Sequence, residues 1–215
     1  MSTKRDLEKQ QPCRRQAIET EILPQKFHRG AKECEQAYVE KGQPLNDMDP
    51  GSLSVRPTTV ADLPKLLELY RRARAYMVSV GNPTQWVEGY PSLSLLQEDI
   101  AQGTSFVVLD AQGVIVAGFV FWIGAEPTYS VLEGGEWLNE DPYGVIHRLA
   151  SWGRGSGIAS FVLQWCWEQI ANLRVDTHLQ NAPMRHILDK MGFSFCGRIY
   201  LADGSMRLAY HKVLW

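Results

Sequence analysis

The order of apolar runs along the chain predicts an α/β (α+β) domain with antiparallel hairpins at both ends and a strand–helix–strand unit between them. Three observations carry this expectation. Short apolar runs with strand-like spacing are interleaved with longer runs of helical spacing. Asp110-Ala111-Gln112-Gly113 and Asp203-Gly204 have the composition of hairpin turns. Arg154-Gly155-Ser156-Gly157-Ile158-Ala159 is a glycine-rich turn joining a strand-like run to a helical one.

Residues 1–52 differ from the rest: Lys, Arg, Glu and Gln dominate, and apolar residues are sparse and out of phase. Such a segment buries too little apolar surface to offset the entropy of ordering, so a flexible extension is expected before a domain over 53–215. Within the domain, 53–57 is a short strand stopped by Pro57. Thr59, with Asp62 three residues on, resembles a helix start, after which Leu63, Leu66, Leu67, Tyr70 and Ala73 share one helical face. That helix should end near Gly81-Asn82-Pro83, and a second covers about 93–102, closed by Gly103. Strands follow at 106–109 and 114–123, and then a loop over 124–141 holding Pro127, Gly134 and Gly135. The remaining order is strand 143–150, glycine turn, helix 157–171, strand 173–178, helix 183–191, strand 193–200 and strand 205–214.

Composition narrows the function classes. A chain of 215 residues, 45% hydrophobic, can bury the core of one domain with an appendage, or of two very small domains. A net charge of −2 without a long basic patch argues against a nucleic-acid partner. No apolar run approaches the roughly 20 residues that span a bilayer, so no membrane partner is expected. The start lacks the apolar core of a secretory signal, and a cytoplasmic location is expected. Cys13, Cys34, Cys166 and Cys196 lack the spacing of a zinc site and read as structural thiols of a reducing compartment; no metal is expected.

A glycine-rich turn opening a helix presents backbone N–H groups at the positive end of the helix dipole, an arrangement that suits phosphate. Turns of this composition are more often plain loops, so the turn alone does not establish such a site. Its setting adds weight. The element order, with Arg-x-x-Gly-x-Ala between the fourth strand and the third helix, resembles the GNAT superfamily of N-acetyltransferases. The pyrophosphate loop of that family is [Gln/Arg]-x-x-Gly-x-[Gly/Ala], and Arg154, Gly157 and Ala159 match its fixed positions. Asn181 after the fifth strand and Met191-Gly192-Phe193 at the end of the next helix also fit, and the resemblance covers about 53–213. Gln85-Trp86, Gly89-Tyr90-Pro91, Ile146-His147-Arg148 and Arg174-Val175-Asp176-Thr177-His178 resemble a little-characterised bacterial subgroup, which brings no substrate.

The resemblance implies a mixed, mostly antiparallel central sheet of about seven strands flanked by helices, with acetyl-CoA as cosubstrate in a cleft where the fourth and fifth strands splay. Backbone groups of Leu149 and Ala150 would pair with the pantetheine arm like an added strand. The amides of Gly155, Ser156, Gly157, Ile158 and Ala159 would hold the pyrophosphate, with Arg154 adding charge and Asn181 completing the cofactor set. Only Trp152 and Gly153 separate Ser151 from Arg154, fewer residues than the family usually places there. The acceptor would be a small-molecule or peptide amine, and the fold leaves room for a homodimer.

Amide formation needs a neutral amine, a polarised thioester and a proton for the departing thiolate. Strand alternation puts Tyr143, Val145, His147 and Leu149 on one face, which makes His147 a candidate base; its structural alternative is a core histidine bonded to a carbonyl. Asp176 and His178 share a face of the fifth strand and could orient each other, although Asp176 could instead pair with Arg148 or Arg174. Glu126 and Glu133, in the preceding loop, could bind the amine or act through water, or be surface charge. Many family members carry a tyrosine acid four positions before the helix-ending glycine; here that position is Leu188, leaving Tyr143 or water. Trp86, Tyr90, Tyr129 and Trp137 could frame an acceptor site or be core, and the absence of an evident acidic cluster argues weakly against a polyamine. No cysteine lies near the cleft strands, so direct transfer is expected. The rival is a non-catalytic acyl-CoA-binding regulatory module of the same fold.

Overall fold

The computed structural model describes residues 53–152 and 157–214. The expected extension over 1–52 lies outside the described residues, as do Arg154, Gly155 and Ser156. The chain forms β1 (Ser54–Pro57), α1 (Leu63–Ser79), α2 (Leu93–Ala101), β2 (Ser105–Leu109), β3 (Ile115–Ile123), β4 (Gly144–Ser151), α3 (Ile158–Gln169), β5 (Asn172–Thr177), α4 (Ala182–Lys190), β6 (Ser194–Tyr200) and β7 (Met206–Val213), with 3-10 turns at Val60–Asp62 and Pro127–Tyr129. One seven-stranded sheet runs in the order β1-β2-β3-β4-β5-β7-β6, and its pairs are antiparallel except β4–β5. The expected mixed sheet is therefore present, with element ends shifted by a residue or two.

Burial explains the layering. The first seven residues of β3 are buried, as befits a strand covered on both faces. On one face α1 inserts Leu63, Leu66, Leu69 and Tyr70; Leu67, expected on that stripe, is 37% exposed, and Leu69 takes its place. This approach is close because Gly118 carries no side chain: a Cβ there would lie 2.6 Å from Leu66 Cδ2. α3 and α4 cover the other face with Ile158, Val162, Leu163, Cys166 and Leu188. Local chemistry starts the helices as expected: the Thr59 N–H and hydroxyl both donate to Asp62 Oδ2 at 2.8 and 2.9 Å, and Ser92 Oγ accepts from the Leu95 amide at 3.1 Å.

The long segment between β3 and β4 is tied down by a buried polar network. Asn172 Nδ2 donates to Asn139 Oδ1 at 3.0 Å and to the Pro142 carbonyl at 3.1 Å. Arg174, 3% exposed, lies over the rings of Tyr143 and Trp137 at 3.9 and 4.3 Å and donates to the Asn139 carbonyl at 2.6 Å. His211 closes the network. The Leu138 amide donates to its Nδ1 at 3.1 Å, so Nδ1 carries no proton, and Nε2–H donates to Asn172 Oδ1 at 2.5 Å.

A second proton on His211 would face the Leu138 N–H, and burial followed by nearby Arg174 lowers its pKa from 6.5 to about 4. The folded chain thus keeps His211 neutral where the unfolded chain takes up a proton. The resulting stability, about 3 kcal/mol at most, is fully present above pH 6.5 and is lost as pH falls toward 4. Urea midpoints measured across this window should fall more steeply for the wild type than for His211→Gln; parallel slopes would show that His211 is not the group responsible.

Candidate active site

β4 and β5 are paired only through Gly144↔Leu173, Val145↔Arg174 and Ile146↔Val175. Beyond that point β4 stays on β3 and β5 stays on β7, so the two strands part at His147 and Asp176. A bulge in β4 accompanies the parting. Between His147, opposite Val120, and Ala150, opposite Gly118, β4 has two residues where β3 has one. Arg148 adopts φ +53°, alone in this region among the described non-glycine residues.

The bulge changes which side chains share a face. Leu149 joins Ile146 in the α3-side core instead of following His147, as strict alternation had placed it. His147 and Arg148 both turn to the opposite side, His147 against Trp122 and Arg148 toward α2. The parted strands open a cavity of about 190 Å³ whose walls include His147, Leu149, Asp176, Asn181 and Met184. His147 and Arg148 also line a second cavity, of about 310 Å³, with Asp99, Trp122 and Glu126.

His147 is the centre of a small assembly. Its Nε2 lies 3.5 Å from Glu126 Oε2, and its Nδ1 lies 3.8 Å from Asp176 Oδ1. The ring stacks on Trp122, with centroids 5.2 Å apart and planes 8° from parallel, and Tyr129 lies 6.1 Å away. The Tyr129 hydroxyl donates to Asp176 Oδ1 at 2.8 Å, while burial and then Asp176 push its pKa well above the phenol range. Burial opposes charge on Glu126, but His147 and the amide and hydroxyl of Thr128 outweigh it and bring the carboxyl to about 2. Glu126 is therefore an anion at neutral pH.

The other expected residues fall in several places. Glu133 lies at β6, bridged to Arg198 through the backbone, with its carboxylate accepting from the Tyr200 hydroxyl at 2.6 Å; the loop carboxylate that approaches His147 is Glu126. His178 lies just past β5, with Nδ1 accepting from the Gln180 amide at 3.2 Å and Nε2 3.4 Å from Thr84 Oγ1, so it and Asp176 have separate partners. Its pKa is lowered by burial and then by Arg207. Arg148 pairs with Asp99 at 2.6 Å, and Arg174 lies 3.6 Å from Glu140, which leaves Asp176 to Tyr129 and His147. Trp86 and Tyr90 line the first cavity, whereas Tyr129 and Trp137 pack in core.

Gly157 is the N-cap of α3 at φ +71°, a conformation glycine adopts without strain; α3 has no side-chain cap there and no acid in its first turn. Ile158 begins the helix with Ala159 next, and Ile158 is 1% exposed. Ala150 is 6% exposed beneath α1, and Leu149 faces the first cavity. Asn181 caps α4, with Oδ1 accepting from the Met184 amide at 3.2 Å and Nδ2 donating to Gln85 Oε1 at 3.0 Å. Leu188 is fully buried, so its position offers packing and no proton. Cys166 and Cys196 are buried free thiols whose pKa values burial raises. Tyr143, the other acid considered, accepts from the Glu126 amide at 3.1 Å. Among the described residues no group of three or more His, Cys, Asp or Glu is placed to hold a metal, and no helix is long and apolar enough to cross a membrane.

Trp122, Tyr129 and Asp99 are the participants that sequence reasoning assigned no part in the His147 assembly. Glu-Pro-Thr at 126–128 has the composition of a capped turn, and Glu126 does accept from Thr128, but nothing local indicates its distance to His147.

No protein-family profile matches the chain, and no curated protein matches it. Solved structures do match. A GNAT-family acetyltransferase from Streptococcus agalactiae is 30% identical, with a TM-score of 0.70 over 79% of this chain and 99% of that one. A GNAT-family acetyltransferase from Listeria monocytogenes is 17% identical, with a TM-score of 0.58 over 75% and 95%. A GNAT superfamily phosphinothricin acetyltransferase from Sinorhizobium meliloti, solved in complex with AcCoA, is 16% identical, with a TM-score of 0.52 over 76% and 89%. The two distant structures establish the fold alone; the Streptococcus protein, matched over nearly its whole length, establishes the family. By that likeness and by its sheet, with β4 and β5 parallel and then parting, this chain belongs to the GNAT superfamily of N-acetyltransferases.

Proposed function

We propose that the chain transfers an acetyl group from acetyl-CoA to a primary amine by direct attack. His147 carries this proposal: it stands where β4 and β5 part, lines both cavities and is flanked by two carboxylates. The Streptococcus relative, itself an acetyltransferase, supports acetyl as the group moved. Bound acetyl-CoA supplies a thioester: the amine nitrogen forms the C–N bond, the C–S bond breaks with its electron pair on sulfur, and of the two protons the ammonium sheds one ends on the thiolate and one in solvent.

The residues present fit such a cosubstrate. Past Ile146, β4 has no β5 partner, and the edge carrying Leu149 and Ala150 suits the amides of a pantetheine arm. The uncapped amides of Ile158 and Ala159, opened by Gly157, suit a pyrophosphate, to which Arg154, Gly155 and Ser156 would add from the same turn. Asn181 would hold the start of α4 and Gln85 against the same cavity.

Within this scheme His147 takes the first proton from the amine. The proton then sits between Glu126 and Asp176, while Trp122 and Tyr129 fix the ring plane and Tyr129 orients Asp176. His178 and Glu133 have no proton to move: His178 is engaged at the end of β5, and Glu133 at β6. Leu188 supplies no acid, so the shed proton that ends on the thiolate reaches it through water.

Thiol release measured over an amine panel separates this enzyme from the CoA-binding module, which would bind CoA with no amine-stimulated thiol. His147→Gln should lower kcat by about 10²-fold or more while CoA affinity, read by calorimetry, stays the same; an unchanged kcat would remove His147 from the chemistry. Gly157→Glu places an anion and a strained φ at the start of α3, and should weaken CoA binding at least about tenfold in a chain whose circular dichroism is unaltered. Wild-type affinity in that variant would put the pyrophosphate elsewhere.

A further inference from the structure

We propose that Arg207 is a carboxylate-recognition residue of the first cavity, so that the molecule acetylated there carries a carboxylate besides its amine. The inference rests on the acetyl-transfer reading and adds a charge requirement which that reading does not contain. Two arginines are buried among the described residues, and they are held differently. Arg174, 3% exposed, has Glu140 at 3.6 Å and two aromatic rings. Arg207, 6% exposed, has no carboxylate in ion-pair contact among the described residues. Its Nη1 donates to the Met206 carbonyl at 3.0 Å and its Nη2 to the Gln85 carbonyl at 3.2 Å. Carbonyls hold a guanidinium in place without neutralising it, and a desolvated cation without a counter-ion is costly. Its Nε has no hydrogen-bond partner among the described residues. Unlike the Nε atoms of Arg148, Arg174 and Arg185, it is not shut off from solvent, and the side chain lines the first cavity.

Strand register places this cation. Asp176 pairs with Ala209 across β5 and β7, so Arg207, two residues along β7, shares the Asp176 face about 7 Å nearer the open end of the cleft. Asp176 is already engaged by Tyr129 and His147. Asp203 lines the same cavity, but its Oδ1 accepts from the amide and hydroxyl of Ser205, and it makes no ion pair with Arg207. The field of Arg207 reaches its neighbours: after burial, it is the cause that lowers the pKa of His178. A carboxylate accepting from Nε would balance the single positive charge. A phosphate monoester, nearly doubly charged, would overfill a wall that already holds Asp176 and Asp203. An amine at His147 and a carboxylate at Arg207 together describe an amino acid whose two ends lie several bonds apart.

The test is a calorimetric titration of the CoA-saturated chain with 4-aminobutyrate and with its amide, which differ only in the charge offered to Arg207. The acid should bind at least about tenfold more tightly than the amide. Arg207→Met should abolish that preference by weakening the acid and leaving the amide as it was. A role confined to holding the Gln85 carbonyl would weaken both probes alike, so the ratio separates recognition from structure. Asp203→Asn is the second variant, at an exposed position that leaves Arg207 in place. Removing its negative charge should tighten the acid about threefold and not the amide. Equal affinity for acid and amide in the wild type, a preference that survives in Arg207→Met, or an unmoved acid affinity in Asp203→Asn would each overturn the proposal. So would a loss of CoA affinity in Arg207→Met with the ratio intact, which would assign the guanidinium to a CoA phosphate. Binding is read without turnover, so these outcomes leave acetyl transfer standing. The expected preference with no amine-stimulated thiol release would instead sink the transfer reading and keep the carboxylate site.

Discussion

A parallel strand pair that stops after three residue pairs is the constraint on which the rest of this molecule depends. β4 and β5 enter the sheet together and leave it apart because each is held more extensively by its other neighbour, β4 by β3 and β5 by β7. The bulge at Arg148 and Leu149 adds bend and twist to β4 where the pairing with β5 has ended. Parting exposes main-chain polar groups in the interior of a sheet, which is costly unless something pairs with them. A bulge without parting would be a local irregularity, and parting without the bulge would leave Leu149 on the face that His147 occupies. Together they turn His147 and Arg148 to one side and Leu149 to the other.

That arrangement gathers charge in the interior, and the surroundings are built to hold it. Buried ions are expensive to desolvate and persist when paired and hydrogen-bonded. Asp99 meets Arg148, Glu126 meets Thr128 and His147, Asp176 meets Tyr129, and Arg174 lies against two aromatic rings. Burial still raises the pKa of Asp99 against the pull of Arg148. The loop bearing Glu126 and Tyr129 would be a poor platform by itself. Asn172, Arg174 and His211 pin its later half to β5 and β7, while Tyr129 and Trp137 fill core beside Val145. Packing remote from His147 thereby fixes the distances around it.

Most of the fold was legible in the sequence because its signals are local. The Thr59–Asp62 start, the hairpin turns and the helical stripes each depend on residues a few positions apart, and each element formed close to its expected place. The mixed character of the sheet became readable through the resemblance. The site was only partly legible. His147 and Asp176 were found because they lie on the two strands that part, and the structure brings them together. Glu126 and Glu133 were candidates alike, since no local signal separates two acids of one loop; the turn at Pro127–Tyr129 follows Glu126, and it is Glu126 that approaches His147. Asp176 and His178 were paired by alternation, but the strand ends at Thr177 and His178 follows the turn instead. The acidic cluster was invisible because Asp99, Glu126 and Asp176 come from three separate elements.

The position of His147 bears on the course of the proposed reaction as well as on its proposed base. His147 lines both cavities at the parted strands, so a base at this position would need no loop to carry it between them. In the proposed reaction such a position favours a complex holding both substrates at once, because the nitrogen would reach the carbonyl past the residue proposed to deprotonate it. The buried state of Cys166 and Cys196 fits this course, since neither thiol is exposed to take the acetyl group as an intermediate carrier. The left-handed Arg148 then has an understandable place beside His147. A strained backbone of this kind, costing about 1–3 kcal/mol, is held by the buried pair with Asp99.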